Sequence, residues 1–587
     1  MQNLSRYVCA LFLALGVCGA VALLFPVAVQ VAVADPAAPD RGPVQPADLI
    51  LRDGAVYTLD AVRSWARAIA VRDGSIVHVG SDETVRPFIG EQTRVVDLGG
   101  RMVLPAFQDV HIHPISGGLR ATRCELGGMQ TEKEYLEAIA EYAAAHPEEA
   151  WIQGGGWAMD AFPAGIPSKR GLDKIVSDRP VSLRSTDGHS AWVNSKALEI
   201  AGITRDTPDP PDGRIDRDPE TGEPVGALQE GAMRLVGKHI TPPTLEERAD
   251  ALRYSLRMLN GYGITSIQDA SASEESLITY RHLDERGELT ARVVASQWWE
   301  RGRGTEQIPE MIERRERFTK GRLRAETVKI MQDGVMENFT AVVLEPYIGK
   351  PGVYGIPMVD PEALKEIVTQ LDRERFQVHF HAIGDGAIRQ ALDAIEAARK
   401  KNGDSGRLHH ISHIELFDPE DIPRFRELKV AANFQPLWAY ADNYITDLTI
   451  PFIGSERSRW LYPIGSLLRS GAVIAFGSDW SVSTANPFEE IEVAVTRMGA
   501  NGETTEPFLP DERINLPSAL AAFTINAAYV NSLEEKTGSI EVGKLADLVV
   551  LDRNLFAIEP TEISETNVLL TLLEGQPVHG DFSLEKN

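Results

Sequence analysis

Eight short, mostly apolar runs constrain this chain more than any other feature. They are FQDVHIH (107–113), GITSIQDA (263–270), RVVAS (292–296), TVKIMQDG (327–334), FQVHFHAIGD (376–385), HHISHIE (409–415), VAANFQP (430–436) and VIAFGSDW (473–480). Runs of this length and composition suit strands buried on both faces, as in a parallel sheet. Between most of them lie stretches with apolar residues at helical spacing, clearest at 361–374 and 387–401. Eight alternating strand and helix units predict an α/β fold, a (β/α)8 TIM-type barrel.

The flanks read differently. Strand-like runs at 48–60, 68–80 and 93–107 carry the dipeptides Asp53-Gly54 and Asp73-Gly74, read as hairpin-type turns. A similar piece returns at 538–554. Together they predict a small β-sandwich domain built from both ends of the mature chain, residues 47–107 and 536–587, flanking a barrel over 108–535. The long gap between the first two barrel strands, about 116–260, predicts an inserted subdomain over the barrel mouth. It holds strand-like AWIQGGGW (150–157) and RPVSLRSTDGHSAWV (179–193).

At the N-terminus, Arg6 is the one charge before Asp35, and an uncharged, mostly apolar run ends in VAVA (31–34). Residues 1–34 therefore read as an export signal with an A-x-A cleavage pattern, directing the protein to the periplasm or medium. The alternative is an uncleaved membrane anchor. LGVC (15–18) resembles a lipoprotein box, but Val17 stands where a small residue is needed. Residues 35–46, rich in Pro and Ala, form a linker. After cleavage Cys124 is the one cysteine left, so neither an internal disulfide nor a cysteine-based zinc site can form. The net charge of −26 argues against a nucleic-acid partner and against charge-driven docking on anionic lipid.

His111 and His113 lie two apart on the first strand, so their side chains share a side. Alone, that spacing is weak evidence for metal. In a barrel of this kind the reactive residues sit at the C-terminal strand ends. There the later strands place Lys329, His381, His413 and Asp479. Such nitrogen and oxygen donors suit Zn2+, Mn2+ or Fe2+. His379 competes with His381 on the same strand face, and His409 and His410 compete with His413. Their other role is to support the ligands or pack the core.

The motifs LPAFQDVHIHP, DGHSAWVNSKALEIAGI (187–203), TGEPVGALQEGAM (221–233), VHFHAIGDGAI (378–388), HHISHIE, FGSDWSVSTANP (476–487) and TGSIEVGKLADLVVLD (537–552) cover nearly the whole mature chain. In them the chain resembles the metal-dependent amidohydrolase superfamily, and within it the amidohydrolase-3, or YtcJ-like, family. Two departures are Ala106, where that family often has Gly, and Ser412, where a Glu usually precedes the ligand His.

The resemblance implies hydrolysis of a non-peptide C–N bond in an N-substituted amide, formamide or cyclic amide, by hydroxide held on a divalent metal. Zinc is the expected ion, one or two per chain. His111, His113, Lys329, His381, His413 and Asp479 would hold the metal, Lys329 only as a carbamate formed with CO2, since an ammonium has no acceptor. An unmodified Lys329 would instead pair with Asp333 or Glu337, or orient substrate. Asp479 would carry the proton, and His413 or His189 would bond the oxyanion. A small molecule is the expected partner, with substrate walls drawn from 154–162, Trp192, Trp298, Trp299, Trp438 and Tyr440. A deaminase or esterase on the same metal, or an exported binding protein that has lost catalysis, are the competing readings.

Overall fold

The computed structural model describes residues 44–585, so the segment read as an export signal (1–34) and most of the stretch read as a linker lie outside the described residues. Eight parallel strands form one sheet: β1 (Phe107–Ile112), β2 (Ile264–Ala272), β3 (Arg292–Trp298), β4 (Leu323–Met331), β5 (Gln377–Ala382), β6 (His410–His413), β7 (Ala431–Phe434) and β8 (Val473–Phe476). Neighbours in the sheet are neighbours in the sequence, the order expected of a barrel. Every residue of β1, β5, β6 and β7 is buried, because helices cover the outside and side chains fill the inside. The two clearest predicted helices are present as Pro361–Arg373 and Asp385–Asn402.

The ladder stops between β8 and β1. The two strands meet instead through hydrogen bonds at their C-terminal ends. Asp479 N donates to His111 O (2.7 Å) and His113 N donates to Trp480 O (2.7 Å). Asn433 Nδ2 on β7 donates to Val110 O (3.1 Å). Gly477 permits this approach: a Cβ there would stand 2.4 Å from His111 N and 2.8 Å from His111 Cβ.

Strands from both chain ends share a six-stranded sheet, in which Met102–Pro105 pairs with Ala55–Tyr57 on one side and Leu548–Leu551 on the other. A four-stranded sheet faces it, and Leu51, Ile69, Val103, Leu548 and Leu570 share the core between them. Asp73-Gly74 is the expected hairpin turn, joining Ala68–Arg72 to Ser75–Gly80. Asp53-Gly54 is not a hairpin. Leu49–Arg52 pairs in the four-stranded sheet and Ala55–Tyr57 in the other, so this dipeptide carries the chain between sheets. Both aspartates adopt positive φ, so the same local chemistry serves two connections and only the partners differ.

Between β1 and β2 a second six-stranded sheet runs from Cys124–Glu125 to Pro224–Glu230. The single predicted run at 179–193 is here two antiparallel strands, Val181–Ser185 and Ser190–Val193, and the turn between them holds Asp187 and His189. Among the described residues no helix is long and apolar enough to cross a membrane.

Below the barrel, at the end opposite the polar strand tips, His409 is a structural residue. Its Nε2 lies 3.0 Å from Asp372 Oδ1, and its Nδ1 accepts from Val378 N (3.0 Å). Arg399 and Asn402 also reach Asp372. Burial alone would raise the Asp372 carboxyl, but His409, Ser405 and Asn402 hold it well below the carboxylate range. A depressed carboxylate stabilises the fold fully above its unfolded value near about pH 4, and the contribution is lost as pH falls toward the folded value. Asp372→Asn is expected to cost about 3–5 kcal/mol in denaturant unfolding, since it leaves Arg399 without its buried partner. The metal content of the protein that still folds should not change.

Candidate active site

Strand alternation brings Asp109, His111 and His113 to one side at the end of β1. His113 Nε2 and His111 Nε2 lie 3.0 Å and 3.5 Å from Asp479 Oδ1, just past β8. From β6, His413 Nδ1 lies 4.0 Å from Asp479 Oδ2. From β4, Lys329 Nζ lies 3.4 Å from His111 Nε2. From β5, the His381 ring centre is 4.4 Å from that of His413. The fold thus brings all six predicted residues to one place. His111, His413 and Asp479 each offer a donor atom within 4.8 Å of the others, and His113, Lys329 and His381 border that triad. Lys329 faces His111, while Asp333 is engaged by His381 Nδ1 and by the backbone N–H groups of Val342, Ile383 and Gly384.

The surroundings set these groups for metal. Burial, with the positive charge of Lys329 and neighbouring rings, holds His111 and His381 well below the usual imidazole value. The same causes bring His413 down to about 3. A neutral imidazole has the lone pair that a cation needs. Burial works against the Asp479 charge, but His113, His413 and Lys329 keep the carboxylate ionised. His413 is 2% exposed, yet both its ring nitrogens lack a hydrogen-bond partner. An unsatisfied buried polar atom costs about 1–3 kcal/mol. Neutral histidines with open lone pairs beside a carboxylate fit a divalent cation.

Some site residues were not singled out from the sequence. Asp109 accepts from His111 N (3.0 Å), Ser478 N (3.1 Å) and Ser478 Oγ (2.5 Å), which clamps β1 to the segment after β8. The alternation that marked His111 and His113 also marks Asp109. His379 supports rather than joins the triad: its Nε2 lies 3.0 Å from His111 Nδ1 and 2.8 Å from Ser412 Oγ, and Ser296 reaches its other nitrogen. Ser412, the departure noted above, is therefore a neighbour of this support. The His410 ring packs at a tilt against that of His379, their centres 4.0 Å apart, and meets Asn433.

A cavity of about 260 Å3 opens over His381, His413 and Asp479. The insertion contributes Ala158, Thr186, Asp187 and His189 to its wall. His189 Nδ1 lies 2.8 Å from Glu230 Oε1, and Thr340 Oγ1, in the loop after β4, donates to the same oxygen (3.1 Å). Burial opposes the His189 charge, but Glu230, with Asp187 and Asp479 nearby, raises it to about 9. Of the aromatic residues expected as walls, Trp438 and Tyr440 line the cavity. Trp157, Phe162 and Trp192 pack the core of the insertion, and Trp299 is buried in the barrel core. Tyr444 and Tyr462 take their place in the wall. Both come from irregular or short segments between β7 and β8, where no periodicity marks a facing side.

Comparison with known proteins agrees with this geometry. A family model described as the amidohydrolase family matches residues 94–579. The chain is 33% identical over 552 residues to the Protein LONG AFTER FAR-RED 3 of Arabidopsis thaliana, covering 91% of this chain and 92% of that one. It is 26% identical over 544 residues to an N-substituted formamide deformylase of Arthrobacter pascens, covering 90% and 97%. An uncharacterized metal-dependent hydrolase from Pyrococcus furiosus has a similar structure, with a TM-score of 0.67, 26% identity, and coverage of 87% of this chain and 99% of that one.

Proposed function

The chain belongs to the amidohydrolase family, hydrolases of C–N bonds, and from that premise we propose that it hydrolyses a small N-substituted amide, formamide or cyclic amide. One observation carries this reading: His413 and Asp479, which converge with His111, line a cavity of about 260 Å3, large enough for a small molecule. The similarity to an N-substituted formamide deformylase supports the same substrate class. A divalent cation, zinc by the donor set, would be held by His111, His113, His381, His413 and Asp479, and would supply the Lewis acid that polarises the carbonyl and acidifies water.

This chain's residues carry the protons. Asp479, ionised and buried, accepts a proton from the attacking water as its oxygen bonds the carbonyl carbon. His189, charged through Glu230, donates a hydrogen bond to the carbonyl oxygen as negative charge grows there. Asp479 then returns the proton to the leaving nitrogen as the C–N bond breaks, giving a carboxylic acid and an amine. The aromatic wall excludes water and seats the apolar part of the substrate.

The test is a panel of amides, lactams, formamides and esters on metal-replete enzyme. Turnover of esters or ring amines alone would reject the reading in favour of an esterase or deaminase. Glu230→Gln is expected to lower kcat about 10–100-fold. Activity should fall as pH rises through about 9, where the His189 imidazolium is lost. Without Glu230 that charge is less stable, so the alkaline limb should move to lower pH. A pH–rate profile of both enzymes checks the shift. Residues 1–34 are proposed as an export signal, and N-terminal sequencing of protein from the native host checks cleavage.

A further inference from the structure

A chain of hydrogen bonds crosses the barrel interior and ends on a proposed metal ligand. It starts at Gln377 of β5, whose Nε2 donates to Leu408 O and Val530 O, both at 2.7 Å. A backbone carbonyl only accepts, so this amide has one orientation. Its Oε1 accepts from Thr327 Oγ1 (2.9 Å) and Gln268 Nε2 (3.2 Å). Gln268 Nε2 also donates to Ser296 Oγ (3.2 Å). Ser296 Oγ lies 3.1 Å from His379 Nδ1, and His379 Nε2 lies 3.0 Å from His111 Nδ1. The other ring nitrogen of His111, Nε2, faces Asp479. Gln268, Ser296 and His379 are fully buried. Branched apolar side chains dominate the interior of such barrels, so ordinary core packing does not account for a polar line across β2, β3 and β5.

Burial holds His379, like His111, well below the usual imidazole value. Each ring is therefore neutral with one N–H, and the chain has two arrangements. In the first, the Ser296 hydroxyl donates to His379 Nδ1, His379 Nε2–H donates to His111 Nδ1, and His111 carries its hydrogen on Nε2. In the second, His111 Nδ1–H donates to His379 Nε2, His379 Nδ1–H donates to Ser296 Oγ, and the lone pair of His111 Nε2 is free. Ser296 serves both, because a hydroxyl donates once and accepts twice. Ser412 Oγ, 2.8 Å from His379 Nε2, can likewise accept or donate. Only the second arrangement offers His111 Nε2 to a cation. We propose that Ser296 and His379 are positioning residues that set the tautomer of His111, and that the chain reverses from the first arrangement to the second when metal binds. The first is the metal-free form because every hydrogen in it has an acceptor, whereas the second turns the Ser296 hydroxyl hydrogen out of the chain. The hydrogens balance. Ser296 passes its own to His379 Nδ1, His379 passes its Nε2 hydrogen to His111 Nδ1, and exchange with water carries the one displaced from His111 Nε2 back to Ser296. All three groups end neutral. The inference rests on the metal-site reading above and concerns the partner of a ligand rather than the substrate.

The test adds zinc to the metal-free full chain labelled with nitrogen-15 in its histidines. Ring couplings then report which nitrogen carries the hydrogen. His379, identified by the signal lost in His379→Gln, should change from Nε2–H to Nδ1–H although it is not a ligand. Zinc affinity by chelator competition should fall about 10–100-fold in His379→Leu, whose side chain cannot accept from His111. His379→Gln should stay near native, because glutamine presents a carbonyl oxygen about as far along the side chain as the ring Nε2. Ser296→Ala should weaken zinc about tenfold, since the buried His379 N–H of the loaded form loses its acceptor. Zinc binding with the His379 tautomer unchanged, or equal affinity in the Leu and Gln variants, overturns the reversal and leaves the metal site in place. A chain that binds no zinc overturns both.

Discussion

Asp479→Asn is expected to lower kcat at least about a thousandfold, the largest single effect in this protein. Asparagine keeps the volume and one carbonyl oxygen, so the wall of the site should hold its shape. What is lost is the group that can take a proton and give it back. The carboxylate is ionised because His113, 3.0 Å away, and Lys329 oppose the cost of burial. Its amide has neither charge nor basicity. Metal content by elemental analysis should fall less than activity, because the four histidines His111, His113, His381 and His413 remain. If kcat falls less than tenfold while metal is retained, another residue carries the proton.

Lys329→Ala should have the next largest effect, about a hundredfold or more on kcat, together with a loss of bound metal. The ammonium form of lysine cannot be a ligand. Burial lowers the Lys329 amine to about 7, so near neutral pH a substantial share is uncharged and nucleophilic. Its nitrogen can add to CO2, lose a proton and become an anionic carbamate beside His111, to which its Nζ already lies at 3.4 Å. Reconstitution of metal-free enzyme should therefore require bicarbonate, and CO2-free buffer should leave it with less metal and little activity. Full reconstitution without bicarbonate, with one metal per chain, would show an unmodified lysine that orients substrate.

The barrel was legible because its signal is physical and local. Strands buried on both sides must be apolar along their length, so a polar residue at the tip stands out. His111, Lys329, His381, His413 and Asp479 were visible for that reason. Residues that act through them were harder to see. Glu230 lies in a quoted motif, but only the folded insertion brings it to His189. Asp109 shares the alternation of His111, yet an aspartate inside a strand reads as a break in the pattern. Tyr444 opens a short π-helical segment (Tyr444–Thr449), and Tyr462 and Glu337 lie in loops, where an α-helical or strand period marks no face, so their meeting in one wall is a tertiary fact. The two Asp-Gly turns teach the same limit: a dipeptide specifies a bend but not the strand that follows it into a sheet.

The way β8 meets β1 has a consequence for assembly. Asp109 and Ser478 lie 369 residues apart, and the seam between first and last strands is held at the catalytic end by these and the neighbouring bonds. A cation gripped by His111 from one side of that seam and Asp479 from the other would act as a rivet across it. Loading should then raise thermal stability through mass action on the closed state. With Asp479 as the proposed proton carrier, proton transfer and ring closure would be completed by the same late-synthesised segment. An incompletely folded chain would then be chemically silent, and specific activity would gauge how many molecules have sealed.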